Sequence, residues 1–227
     1  NWNFLTHLMN ELQIAGLELD AYDFSFFAKK ASEDKQLISK LLYTPLHVLH
    51  KDKSFSARHL QDIDPSFYNK IQEADIVFCE WGNDTAVFLS RFLPPNKKLI
   101  IRLHSYEAFT HWHLSINMGG VDGLIFVADH IKNIFYKNAS PSIYNCEDHC
   151  LASVIPNIKD FDKYTYDKSE NARYTLGMAG FNKENKGLLK ALKILKHLRN
   201  EDSRWALRLA GDGFINNTSE DYKYWTQ

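Results

Sequence analysis

Cysteine is scarce: three in 227 residues, an odd number and too few for a disulfide scaffold. That leaves a reducing compartment, the cytoplasm, as the expected location. An excess of one charge is missing too. The 27 Lys and Arg nearly cancel the 28 Asp and Glu, so no global field draws the chain to nucleic acid or an anionic membrane. Long hydrophobic runs are absent, because ADIVF and LIFVA fall far short of the ~20 residues that span a bilayer. The opening NWNFLTHLMNEL is amphipathic rather than basic and then apolar, so no secretory leader is expected there. The dinucleotide fingerprint G-x-G-x-x-G, a Walker loop, a zincin helix and a Gly-x-Ser-x-Gly elbow do not occur. Cys146 and Cys150 bracket CEDHC around His149, but no second ligand pair stands at zinc spacing. A loop with incidental thiols is the expected account, and Cys79 reads as core.

What is present is an ordinary globular composition, 44% hydrophobic and 24% charged, enough for a sizeable core. Residues 2–15 carry Phe4, Leu5, Leu8, Met9 and Leu12 at helical spacing, closed by Gly16. LELDAYDF (17–24) alternates like a strand, SEDKQLISKLLY (32–43) reads as a helix capped by Ser32, and LHVLH (46–50) as a short strand. A strand from Asp75 leads to a helix over 84–93 that Pro94-Pro95 stops. KKLIIRLH is a buried-type strand and SYEAFTHWHLSINM (105–118) a helix ended by Gly119-Gly120. GLIFV, ADHIKNIFYKN and ASVIP continue as strand, helix and strand. After the polar stretch 157–172, ARYTLGMAG, a helix from Lys186 and RWALRLAG repeat the alternation. Strands separated by helices predict an α/β fold with a doubly wound parallel sheet. Residues 1–156 are expected to form a Rossmann-like domain short of its first strand. Residues 157–172 make a linker, and 173–227 the start of a second Rossmann-like domain.

In open parallel sheets ligands sit beyond the carboxyl ends of the strands, so the residues following each strand are the candidates. Trp81, Gly82 and Asn83 follow the first; His104 and Glu107 follow the second. Gly180, Phe181 and Lys183 lead to Lys186 and Gly187, where a helix begins and unpaired backbone N–H groups favour an anion. Gly180 permits a tight turn and Gly187 a close backbone approach, while Gly211 and Gly213 make another strand-end turn. Lys186, Lys190, Lys193 and His197 share one arc opposite Leu188, Leu192 and Leu195. That arc is either a basic membrane-facing strip or, as the neutral chain favours, a solvated face. His104 can orient or donate to a substrate, or satisfy loop carbonyls; position alone does not separate the two. His111 and His113, two apart on a helix, do not share a face and read as surface or packing residues.

Four stretches together resemble the retaining, nucleotide-sugar-dependent glycosyltransferases of the GT-B fold, the large family-four group. They are LIIRLHSYEAF, VDGLIFVADHIKNIFY, VIPNIKDFDKY, and LGMAGFNKENKGLLKALKILKHL with LRLAGDGF. Their order and spacing match over roughly residues 75–214. The resemblance implies transfer of a sugar, with retention, from a nucleotide-diphosphate donor to a glycan or glycolipid acceptor. It implies no bound metal and no cofactor, the nucleotide sugar being a substrate. His104 would stand near the sugar and Lys186 would neutralise the departing diphosphate, the electrostatic help such a reaction needs most. Gly180, Phe181, Lys183, Lys186, Gly187, Gly211 and Gly213 would form the donor side; Trp81, Asn83 and Glu107 the acceptor side. Apart from the resemblance, the cysteine count sets the expectation of a cytoplasmic protein, the balanced charge that of no nucleic-acid partner, and the basic arc leaves peripheral membrane contact open.

The chain also departs from the pattern. Phe181 stands where the family carries an arginine that shares the diphosphate, with Lys183 as a substitute two residues on. Ala128 replaces a serine and Ile158 a glycine. The family's later pair of glutamates would fall beyond Gln227 and its glycine loop before Asn1. Phe181 suggests an alternative, a non-catalytic GT-B-like module that binds a partner enzyme or glycan. A nucleotide-sugar epimerase is a third reading, since its Tyr-x-x-x-Lys pair occurs as Tyr164 and Lys168, though in the linker.

Overall fold

A computed structural model describes residues 5–23, 33, 39, 42–44, 61, 64–138, 150–158, 167–181 and 186–211. The chain divides into two compact units, Asn1–Asp160 and Phe161–Gln227.

In the first unit α1 (Leu5–Ile14) buries none of its residues fully. Gly16, at φ +88°, closes it: Gly16 N–H donates to Gln13 O and Leu17 N–H to Leu12 O, the paired bonds of a left-handed helix stop. Residues 17–23 carry no sheet ladder, contrary to the alternation of LELDAYDF. Their polar side chains are taken by α2 (Pro65–Glu73) instead. Tyr22 donates to Asp64 and lays its ring 4.6 Å from Phe67, and Asp20 pairs with Lys70. Asp64 also caps α2, accepting the Phe67 N–H at 3.0 Å. Of the helix expected over 32–43, Glu33, Ser39, Leu42 and Tyr43 are described and helical, with Leu42 in the core. LHVLH lies outside the described residues.

Four strands follow, β1 (Ile76–Glu80), β2 (Lys98–Leu103), β3 (Gly123–Phe126) and β4 (Leu151–Val154), parallel and side by side in that order. Helices α3 (Asp84–Phe92) and α5 (Asp129–Asn138) connect them. Leu99, Ile101, Leu103, Leu124 and Phe126 are completely buried in one core with Ala86, Val87, Ile131 and Phe135 from these helices. The near-continuous apolar letters of LIIRL are those of an interior parallel strand. The α/β parallel character is as the sequence predicts. The strand order runs in one direction, however, so right-handed crossovers put these connections on a single face. The reversal that makes a sheet doubly wound is not among the described residues.

The helix expected over 105–118 is broken into short turns, Glu107–Phe109 and Met118–Gly120, around α4 (Trp112–Ser115). Tertiary bonds displace the local ones. Ala108 O accepts Asn138 Nδ2 at 3.3 Å, and Asn117 N–H donates to Ser90 Oγ at 2.9 Å. Gly120 presses on α3 so closely that a Cβ there would lie 2.2 Å from Ser90 O. His113 is buried with Nε2 3.1 Å from Asn138 O, whereas His111 is exposed and packs on Trp112.

The second unit contains β5 (Thr175–Ala179) and β6 (Ala206–Ala210), paired in parallel, and α6 (Leu188–Glu201). Among its described residues Leu188 is the one fully buried hydrophobic side chain. The helix starts two residues later than expected, because Gly187 adopts φ +80°, outside helical geometry. Lys190, Lys193 and His197 are exposed along α6. No helix among the described residues is long and apolar enough to cross a membrane.

Candidate functional site

Pairing register sets Glu80, the last residue of β1, opposite Arg102 of β2. Side chains alternate along a strand, so Arg102 and, two residues on, His104 leave the same face as Glu80. Glu80 Oε1 lies 2.6 Å from His104 Nε2, and Glu80 Oε2 is 3.7 Å from the Arg102 guanidinium. That guanidinium donates to Asn157 Oδ1 at 2.6 Å, reaching past β3 to the segment that follows β4. The three ionisable side chains are 7%, 4% and 6% exposed, in the order Glu80, Arg102, His104. A carboxylate between a guanidinium and an imidazole offsets the desolvation that any one of them alone would suffer.

The loop after β1 closes over this chain of groups. Trp81 stacks on His104, ring centroids 4.1 Å apart and 24° from parallel. It does so from φ +81°, a left-handed backbone uncommon for a bulky residue. Gly82 follows because a Cβ there would meet Leu103 Cδ2 at 2.6 Å. Its N–H donates to Glu107 Oε1 at 2.9 Å. Glu107 is fully buried, and burial raises its carboxyl pKa above the usual range, opposed by backbone N–H groups of Glu107 itself, Gly82 and His104. Asn83 caps α3, its side-chain oxygen accepting the Thr85 N–H at 3.1 Å.

Each acceptor-side candidate is therefore engaged in the fold: Trp81 on the imidazole, Asn83 at a helix cap, Glu107 as an internal clamp on the Trp81-Gly82 turn. His104, one residue past β2, is buried rather than open to solvent. Glu80, Arg102 and Asn157 are site residues that sequence reasoning passed over. The signal for the first two was available, since period two in IIRLH places Arg102 and His104 together, and β1 ends in a carboxylate.

In the second unit, Gly180 turns at φ +70° directly after β5, its N–H donating to Ala210 O at 2.7 Å. The Lys186 stem runs across it: a Cβ at Gly180 would lie 3.7 Å from Lys186 Cε. Gly211, at φ +137°, backs onto Gly180; a Cβ there would be 3.3 Å from Gly180 Cα and 3.9 Å from the Phe181 ring. Gly180, Phe181, Lys186 and Gly211 thus meet at the carboxyl end of β5 and β6, and Gly187, next in the chain, is the residue that caps α6. Lys186 is exposed and Phe181 half-buried. Lys183 and Gly213 lie outside the described residues. So do Cys146 and His149, whereas Cys150 is a buried thiol just before β4. Among the described residues no group of three or more His, Cys, Asp or Glu could hold a metal ion. In comparisons with known proteins, no family model and no curated sequence matches this chain.

Proposed function

We propose that the chain is part of a GT-B-type glycosyltransferase that moves a hexosyl group, with retention and without a metal, from a nucleotide-diphosphate sugar to a glycan or glycolipid. The observation that carries this reading is the meeting of Gly180, Gly211 and the Lys186 stem at the mouth of α6. Bare backbone lets a diphosphate approach, the helix end supplies partial positive charge, and the ammonium adds a full one. When the glycosidic C–O bond breaks, the diphosphate leaves with the electron pair, and a cation fixed there stabilises the developing charge. His104 serves the acceptor side, and Lys190, Lys193 and His197 offer a basic face for peripheral contact at the cytoplasmic surface of a membrane.

Thermal-shift titration with nucleoside diphosphates tests it. The wild type should be stabilised, by about 2.7 kcal/mol at a hundredfold excess over Kd, and Lys186→Ala should lose most of that shift while melting normally without ligand. No stabilisation by any nucleoside diphosphate would overturn the reading. A second reading, a non-catalytic GT-B-like module, draws on one observation: the Phe181 ring packs beside Gly211 where the resemblance calls for an arginine. It expects stabilisation by oligosaccharides and none by nucleotides.

A further inference from the structure

We infer that Glu80 is a positioning residue for His104, holding the imidazole with its proton on Nε2 and its plane against Trp81. An ionised carboxylate can only accept hydrogen bonds, so the nitrogen 2.6 Å from Glu80 Oε1 must be the one that bears hydrogen. The carboxylate has a cationic neighbour on its other oxygen. Arg102, buried and always cationic, stands 3.7 Å from the other oxygen, and Asn157 fixes that guanidinium from its far side at 2.6 Å. Trp81 restrains what hydrogen bonding leaves loose, rotation of the ring out of its plane, by stacking at 4.1 Å. Bond and stack together leave the imidazole one tautomer and one orientation. Nε2 is thereby committed to the protein, and in the neutral ring Nδ1 is the acceptor nitrogen.

The assignment of a role in turnover rests on the proposed transfer reaction; the tautomer does not. The test therefore has two readouts on the same chain. Imidazole 15N spectra, with His104 assigned by His104→Gln, should show the Nε2–H tautomer in the wild type and a mixture in Glu80→Ala. Glu80→Gln, which keeps an oxygen acceptor and the side-chain volume, should retain the tautomer but exchange its Nε2–H proton roughly tenfold faster, since the bond is no longer charge-assisted. It also stands in should the alanine variant fail to fold. In donor-turnover assays Glu80→Ala should lower kcat at least ~10-fold with Glu80→Gln in between, as removal of a group that orients a functional histidine does. An Nδ1–H tautomer in the wild type, or an exchange rate unchanged in Glu80→Gln, would overturn the inference. The predicted tautomers with no turnover by the wild type would instead remove the transfer reaction and leave Glu80's hold on His104 standing.

Discussion

LIIRL in β2 and ALRLA in β6 are nearly the same word, an apolar strand interrupted by one arginine, and both sit in parallel pairing. Their fates differ. In β2 Leu99, Ile101 and Leu103 are wholly buried and Arg102 is 3% exposed; in β6 Leu207 and Leu209 are half-buried, and Ala206, Arg208 and Ala210 are exposed. The strands themselves do not account for this. β2 has a neighbour on each side and helices packed on its leucine face, whereas β6 has β5 alone among the described residues. Arg102 has Glu80 and Asn157 to meet it, and no carboxylate stands at that distance from Arg208 among the described residues. Burial belongs to the company a strand keeps, and a buried arginine marks where that company is polar.

Truncating one residue in each sheet should break the likeness most sharply. Phe126→Ala, at a fully buried site in β3, should cost ~3–5 kcal/mol, while Leu207→Ala, half-buried, should stay under ~2 kcal/mol in the same urea melts. Equal losses would mean that the second unit has a core as tight as the first. Two glycines give the next contrast. Gly120→Ala would drive a methyl into Ser90 O and should destabilise by ~1–3 kcal/mol, whereas Gly177→Ala, with open space around it, should lie within ~0.5 kcal/mol of the wild type by thermal melting.

The smallest effects concern two carboxylates of opposite sign. Burial raises the Glu107 carboxyl, so its contribution is greatest below the ordinary carboxylate range and is lost as pH rises through its raised value. The stability of the wild type relative to Glu107→Gln should accordingly fall as pH increases from acid to neutral. Asp202 is held down to about 2 by hydrogen bonds from the Arg204 side chain, whose guanidinium also lies 3.9 Å from the Tyr174 ring centre. Its contribution is present above the ordinary range and lost as pH falls towards 2, so Asp202→Asn should trail the wild type near neutrality and draw level in acid. Urea titrations across pH would read both slopes, and parallel slopes would remove the distinction between buried and exposed carboxylates.

Much of the frame was legible because its signals are local. Gly16 as a helix stop, Pro94 closing α3, and the strand–helix alternation all act within a few residues of where they stand. What was not legible depends on partners far along the chain. The 105–118 helix fails because Glu107, Asn117 and Gly120 are claimed by Gly82 and Ser90, and 17–23 forms no strand because Tyr22 and Asp20 are claimed by α2. His104 and Lys186 were visible as candidates from their places at element ends. Glu80 carried a local signal, a carboxylate ending β1, that only the register of β1 on β2 turns into a contact, and Asn157 carried none, since only the reach of Arg102 past β3 brings it to the guanidinium.

The bond from Arg102 to Asn157 has a mechanical side. Among the described residues β4 is an outer strand of its sheet, paired with β3 alone. Asn157 lies just beyond the strand's end, and its carboxamide is moored to β2. That bond spans two strands, joining the segment after β4 to the inner strand β2 across β3. The chain leaving β4 is thereby fastened twice, by the Ile155 N–H to Phe126 O on β3 and by the Asn157 carboxamide to Arg102 on β2.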